Sequence, residues 1–421
     1  MKRILLLNLV LFVVLTGCGD AESTSVEENG FVKQFGFWPS FRGPEGDGIS
    51  DEKLANQWPD PAPAAVWEKK LGGGYSSFSV AEGRVYTMSR SADEEIVHCW
   101  DAHSGRTLWE HKYEAVYRAF ADFDPLWHSG PRATPTIDGD RLYTLGSTGI
   151  LKCLRVDDGT EVWSLNLFEL SQQTKMHKFG YSNSPVVVGR KLLVEPGGTN
   201  KRSLAAIDKL TGKILWLTGS YRYGYATPIY FHYQGEKQVV YFTGEGPVSV
   251  RLDDGSEIWR YIWETELDIN VATPIFHKGR LFISSAYGRG AALLKLNGKN
   301  EPELIWKKNT MANYFSSSVI FNGNLYGFSM GRLRCLDLET GAILWDEPGL
   351  GRGSLLIADN KLIALGERGV LAIANATPSD FDEIYRWKAL DGGVWNVPVL
   401  AAGKLFIRSE TEVKVFDARY P

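Results

Sequence analysis

A strand ending recurs along the chain and restricts it to a repeat architecture. It reads Asp101-Ala102-His103-Ser104-Gly105-Arg106-Thr107-Leu108-Trp109, then Asp208-Lys209-Leu210-Thr211-Gly212-Lys213-Ile214-Leu215-Trp216, then Asp337-Leu338-Glu339-Thr340-Gly341-Ala342-Ile343-Leu344-Trp345. Shorter copies run from Asp157-Asp158-Gly159 to Trp163 and from Asp253-Asp254-Gly255 to Trp259. Asp bonds nearby backbone and Gly accepts a positive φ, so the pair makes a tight turn. The strand that follows ends on a Trp large enough to wedge between neighbouring sheets. A spacing of roughly 40–50 residues is that of propeller blades or solenoid turns. The 44 Gly and 14 Trp among 421 residues suit an all-β repeat protein with many turns and many aromatic wedges.

Eight short strands begin on small or hydroxyl residues: at Ser76-Ser77, Ala133-Thr134-Pro135, Asn183-Ser184-Pro185, Ala226-Thr227-Pro228, Ala272-Thr273-Pro274, Ser316-Ser317-Ser318, Gly353-Ser354 and Asn396-Val397-Pro398. Pro lacks an N–H and is confined to sheet edges or strand starts. The innermost strand of a propeller blade is such an edge. Second strands follow turns such as Gly83-Arg84-Val85-Tyr86 and Gly323-Asn324-Leu325-Tyr326. Fourth strands end at Trp109, Trp163, Trp216, Trp259, Trp306, Trp345 and Trp387. The eighth unit, from Val394, has three strands, while a lone Trp strand, Ala64-Ala65-Val66-Trp67-Glu68-Lys69, lies upstream. The expected fold is therefore all-β: an eight-bladed propeller of four-stranded antiparallel blades, with the Trp67 strand completing the last blade. Such closure removes an exposed sheet edge.

Cys99, Cys153 and Cys335 each lie six residues before a repeat glycine, and Ala206 and Ser249 occupy the matching positions. That pattern reads as a small packing slot, and cysteines in separate blades are not placed to form a disulfide. The fourth cysteine belongs to a targeting segment. Lys2 and Arg3 precede an apolar run from Ile4 to Leu15, too short to span as a mature helix. Leu15-Thr16-Gly17-Cys18 resembles a bacterial lipobox, which implies cleavage before Cys18 and a lipid on it. An ordinary secretory signal is the alternative; both imply export. The expected organisation is a signal peptide and lipobox at 1–18, a flexible tether at 19–36, an irregular segment packed on the propeller at 37–63, and the propeller at 64–421. In the third part, Trp38 and Phe41 need burial and Arg42 needs carboxylate or carbonyl partners. A calcium loop at Glu45 and Asp47 lacks enough oxygen ligands at the right spacing.

The repeats resemble those of pyrroloquinoline-quinone (PQQ) dehydrogenases from about Trp67 to Asp417. The chain is most similar to the exported PQQ-like propeller proteins of planctomycetes and their relatives. Trp38 to Pro44, Gly130-Pro131-Arg132-Ala133-Thr134-Pro135, Leu145-Gly146-Ser147-Thr148-Gly149, Phe315-Ser316-Ser317-Ser318 and Leu365-Gly366-Glu367-Arg368-Gly369 carry that resemblance. Eight blades on a lipidated chain also resemble the propeller lipoproteins of the outer-membrane assembly machinery. The resemblance is specific for architecture and says little about chemistry, since one fold hosts many functions.

Several chemistries lack a sequence signal. No two cysteines are adjacent, unlike in many quinone-dependent alcohol dehydrogenases. There is no Cys-x-x-Cys-His, no paired-His metal motif and no Gly-x-Ser-x-Gly elbow. The net charge of −4 does not favour nucleic acid. No catalytic or metal-ligating residue is assigned. The remaining place for a site is the face formed by blade-to-blade connections, away from the Asp turns. Candidate ligand-binding residues there are Arg132, Tyr181, Asn183, Tyr225, Asn270, Tyr287, Arg289, Tyr314, Arg352, Trp395 and Asn396. Glu195, Glu245, Arg332, Glu367 and Arg368 are placed in shorter loops of that face. A long aromatic connection adds Tyr113, Tyr117, Arg118, Phe120, Phe123, Trp127 and His128, and a second carries Lys175, His177 and Lys178. Trp67, Trp109, Trp163, Trp216, Trp259, Trp306, Trp345 and Trp387 are assigned to structure.

The expected function is a monomeric, non-catalytic scaffold, lipid-anchored in a bacterial membrane through Cys18, that binds an envelope protein or a small polar ligand without a cofactor. The alternatives are a PQQ-dependent dehydrogenase, with PQQ and Ca2+ in an atypical site, and a carbohydrate-binding propeller.

Overall fold

The computed structural model describes residues 36–59, 61–116 and 130–419. Cys18, the signal, the tether up to residue 35 and the aromatic connection from Tyr117 to His128 lie outside the described residues. The eight sheets form an eight-bladed β-propeller. Blade 1 runs outward through Ser79–Ala81, Arg84–Ser91, Glu94–Asp101 and Thr107–Glu114. Blades 2 to 7 repeat that order with innermost strands Thr136–Asp138, Val186–Val188, Ile229–Tyr233, Ile275–His277, Val319–Phe321 and Gly353–Ala358. Blade 8 takes Val399–Ala401, Lys404–Arg408 and Glu412–Asp417 from the end of the chain. Its fourth strand is Trp67–Lys70, antiparallel to Glu412–Asp417 with Trp67 opposite Val415. The upstream Trp strand thus closes the ring.

The recurring Trp and Gly meet across the seams, each pair drawn from two adjacent blades. A Cβ added to Gly105 would lie 2.7 Å from the Trp67 ring. Gly159 meets Trp109, Gly212 meets Trp163, Gly255 meets Trp216 and Gly341 meets Trp306 in the same way. Each indole N–H then donates to the carbonyl three residues before that glycine: Ala102, Val156, Lys209, Leu252 and Leu338, at 2.9–3.1 Å. The wedge is therefore both packed and hydrogen-bonded, as a buried indole requires. Three seams differ. Trp259 donates to Gln238 of its own blade, Trp345 to the Thr377 carbonyl, and Trp387 packs edge-on to Phe416 and against Trp58.

The small slot follows from the same geometry. Cys99, Cys153, Ala206, Ser249 and Cys335 stand directly opposite Trp109, Trp163, Trp216, Trp259 and Trp345. The corresponding residues facing Trp306, Trp387 and Trp67 are Leu293, Leu371 and Val415, so the slot is not small in every blade. The three cysteines are buried and free, and burial pushes the thiols of Cys99 and Cys335 up to about 12 and that of Cys153 to about 11.

A belt of hydroxyls ties the strand starts around the channel. The Thr134 amide donates to Ser184 Oγ, the Ser184 amide to Thr227 Oγ1 and the Thr273 amide to Ser317 Oγ. Ser77 Oγ donates to the Val397 carbonyl across the closing seam. Arg408 of blade 8 is buried there; it donates to the carbonyls of Gly74, Ser76 and Met88. These bonds satisfy a charge that would otherwise be costly to bury.

Residues 37–58 plug the Asp-turn end of the channel. Trp38 pairs with Val80 of blade 1, and the Ile137 amide of blade 2 donates to Pro39. Arg42 donates to the carbonyls of Gly46, Asp47 and, in blade 6, Ser318, so its partners are carbonyls. Asp47 accepts from the Ile49 amide. Ile49–Ser50 adds a short parallel fifth strand to blade 7, beside Ile357 and Ala358. The Pro- and Gly-rich sequence gives no sign of that strand; the unpaired edge of Gly353–Ala358 supplies it. Glu52 accepts the amides of Ala402 and Gly403 in blade 8.

Two outcomes follow from the seams. Gly105→Ala, at φ +71 and against Trp67, is expected to destabilise by about 2–5 kcal/mol. Gly83→Ala, at φ +73 with open space around it, carries only the backbone strain of about 1–2 kcal/mol. Urea midpoints of the two variants compare them directly, and equal losses would remove the wedge as a stabilising contact. In a Cys18→Ser protein, a thiol reagent is expected to find no reactive cysteine until denaturant opens the blades; rapid native reaction would contradict the buried slots.

Candidate functional site

The end of the channel opposite the plug holds a cavity of about 130 Å3. Arg132, Tyr225, Trp395 and Asn396 line it, together with Phe41, Tyr75, Thr134, Phe179, Ser182, Ser184, Thr227, Ile269, Val271, Phe315 and Val397. The hydroxyl and Pro-bearing strand starts bring these residues to one axis. Phe41 comes from the plug and forms the floor. It also lines a second cavity on the Asp-turn side, between the plug and the inner strands of blades 3 and 4. A residue far away in sequence therefore helps to shape the upper cavity.

Aromatic rings form a continuous arc around half the mouth. Tyr287 lies 5.5 Å from Tyr314, Tyr314 3.9 Å from Phe315, Phe315 4.9 Å from Trp395, and Trp395 is stacked 5.3 Å from Tyr75. Two guanidinium groups sit over this arc: Arg352 is 4.4 Å from the Tyr314 ring and Arg132 5.9 Å from that of Tyr75. Such placements attract cations to ring faces. Tyr314 and Arg352 line a small cleft that shares Phe315 and Trp395 with the cavity. Arg289 sits apart from the cavity wall, 4.6 Å over the Trp263 ring.

Tyr181, Asn183 and Asn270 are placed behind the wall, and each is at most 1% exposed. Tyr181 donates to the Pro196 carbonyl. Asn183 Oδ1 accepts from the Tyr223 hydroxyl. Asn270 donates to the carbonyls of Thr243 and Trp263 and accepts from Ser285. Their chain positions put them at the mouth, but the adjacent blades turn their side chains inward. Glu195 also leaves the loop surface expected for it and is fully buried. It accepts from the Gly224 amide, its other oxygen has no partner, and burial holds its carboxyl well above the usual range. Arg332 is paired with Asp346 at 2.7 Å.

Sequence reading missed Tyr75, Phe179 and Phe41 as cavity residues, and treated Phe315 only as part of a motif. Only Phe41 carried a signal, as a large ring in a Pro- and Gly-rich stretch. The cavity wall offers rings, hydroxyls, one carboxamide and one guanidinium. No carboxylate or imidazole among the described residues lines the cavity, although the Tyr75 hydroxyl donates to Glu410 at 2.6 Å. Among the described residues no three His, Cys, Asp or Glu side chains converge on a common point. A calcium-held quinone requires carboxylate oxygens, and the described lining does not supply them.

His177 stacks on Tyr223 at 4.1 Å, and burial lowers its imidazole from 6.5 to about 4. The unfolded chain therefore binds the extra proton first. Stability should be intact above pH 6.5 and fall by roughly 3 kcal/mol as pH drops to about 4. His177→Gln should shrink that fall in urea midpoints measured across the range. Glu195→Gln acts in the opposite direction and should raise the midpoint at pH 8, because the native state resists ionising Glu195. An unchanged pH profile in both variants would contradict these burial assignments.

Similar proteins share this architecture. The outer membrane protein assembly factor BamB of Salmonella typhimurium is 23% identical over 263 residues, which cover 58% of this chain and 63% of that protein. The chain thus spans under two thirds of the length of the curated relatives it matches. The crystal structure of BamB from Moraxella catarrhalis has a TM-score of 0.61 at 16% identity, covering 85% of this chain and 98% of its own. The quinohemoprotein alcohol dehydrogenase of Comamonas testosteroni reaches 0.62 at 14% identity, covering 91% and 81%. Both structures share the fold. The family model described as outer membrane protein assembly factor BamB matches residues 93–347, more than half of the sequence, and the chain belongs to that family of PQQ-like propellers.

Proposed function

We propose that this protein is an exported, lipid-anchored scaffold that binds an envelope protein or a small polar ligand at the mouth opposite its Asp turns, without catalysing a reaction. The lining of the mouth cavity carries the reading: it can hold a group by stacking, hydrogen bonding and one positive charge, and among the described residues no carboxylate or imidazole lines it. Membership of a family described as an outer membrane assembly factor supports an envelope role. Lipid attachment at Cys18, removal of residues 1–18 and a tether at 19–36 rest on the lipobox pattern. The propeller acts as a monomer, because Trp67–Lys70 covers the edge that an open ring would offer to a second copy.

The dehydrogenase reading gains no support from the cavity wall. After incubation with PQQ and Ca2+ and gel filtration, the protein is expected to retain no quinone absorbance and to reduce no dye with alcohols or sugars. Retained quinone with dye reduction would overturn the scaffold reading. The direct test is capture of partners from solubilised envelopes by the lipidated chain. Trp395→Ala with Arg132→Ala is expected to lose a specifically bound partner. Leu210→Lys, at an exposed site on the Asp-turn face, is expected to keep it. The reverse pattern would place binding on the other face.

A further inference from the structure

We infer that the mouth cavity takes the C-terminal residue of a polypeptide, with an aromatic or branched apolar side chain among the rings, its carboxylate at Arg132 and its amide at Asn396. This rests on the scaffold reading and narrows it to one ligand chemistry. Size is the first argument. A cavity of about 130 Å3 holds a group of roughly benzene size, which is one side chain and not a folded domain.

The polar groups give the second argument. Asn396 lines the cavity, is 4% exposed, and neither Nδ2 nor Oδ1 has a hydrogen-bond partner. Thr134 Oγ1, in the same wall, is also without one. Buried polar groups are ordinarily satisfied, so both side chains call for a partner entering the cavity. A carboxamide presents one donor and one acceptor side by side, which complements the N–H and C=O of a secondary amide. Asn183, at the matching position in blade 3, differs: its oxygen accepts from the Tyr223 hydroxyl within the protein. Asn183 Nδ2 is also without a partner, so what sets Asn396 apart is that both of its polar atoms are unmet.

Charge gives the third argument. Arg132 is the one charged residue of the lining, and it has no carboxylate partner among the described residues. It donates to the Gly130 carbonyl through Nη1 and keeps further N–H donors. A guanidinium beside aromatic rings and an amide matches a carboxylate carried on an amide-linked apolar residue.

The experiment uses the full lipidated chain in detergent with N-acetyl-phenylalanine, N-acetyl-Ala-Ala-Phe, and the C-terminal amide of each, measured by calorimetry. Both acids are expected to bind about tenfold or more tightly than their amides, as loss of a charge-assisted contact implies. The tripeptide is expected to exceed the single acylated residue if a polypeptide end is the natural ligand; the reverse would reassign the site to free acylated amino acids and overturn the polypeptide source. Arg132→Gln should abolish the preference for the acid, and Arg132→Lys should restore part of it, which a folding defect would not do. Asn396→Ala should weaken acid and amide alike. Equal affinity of acid and amide, an unchanged preference in Arg132→Gln, or no binding would overturn the inference. If capture of an envelope protein still depended on Trp395 in that case, the scaffold reading would stand without it.

Discussion

The packing of a Trp from one blade onto a Gly of the next is the contact on which the propeller depends. It sets the distance between sheets and the height at which they meet. With the indole on the glycine, its N–H reaches the carbonyl three residues earlier, so one turn supplies both surface and acceptor. The small residue opposite each of five Trp side chains gives the ring room within its own sheet. Blade 5 lacks the turn glycine at that place, and Trp259 of blade 4 turns its N–H back to Gln238, which also accepts from Ser249. A polar pair inside one blade thus replaces a bond between two.

Much of this was legible in the sequence because it is local. An Asp-Gly turn, a Pro at a strand start and a Trp four residues after the turn glycine are set by short stretches, and repetition made each visible several times, although the strands run on past that Trp, as Thr107–Glu114 does past Trp109. The displaced Trp67 strand was legible by counting, since a ring needs every blade complete. The plug was only half legible. Trp38, Phe41 and Arg42 announced burial, but the edge that receives Ile49 and Ser50 belongs to blade 7, and nothing near those residues in sequence names it. The hydroxyls at the strand starts read as small residues near an axis. Their bonds to the next blade require knowing that Thr134, Ser184 and Thr227 are neighbours.

The site divides along the same line. Arg132, Tyr225, Trp395 and Asn396 were found because strand starts point to the mouth. Tyr181, Asn183 and Asn270 follow the same rule of position, yet tertiary packing claims their side chains. Phe41 shows the opposite case, a residue outside the repeats that shapes the cavity from below. The mouth is thus built by the repeats and finished by a segment that is not one of them, so changes in the plug alter the depth of the cavity without touching its rim.

Ring closure also imposes an order in time. Trp67–Lys70 is synthesised early and its partner Glu412–Asp417 last. Glu52 likewise waits for the Ala402 amide, 350 residues further on. At roughly 5–20 residues per second, that interval is about 20–70 s of synthesis. Throughout it the first strand has no partner and the last seam cannot form. A nascent chain so arranged stays unsealed until its eighth blade emerges, and depends until then on protection from premature strand pairing.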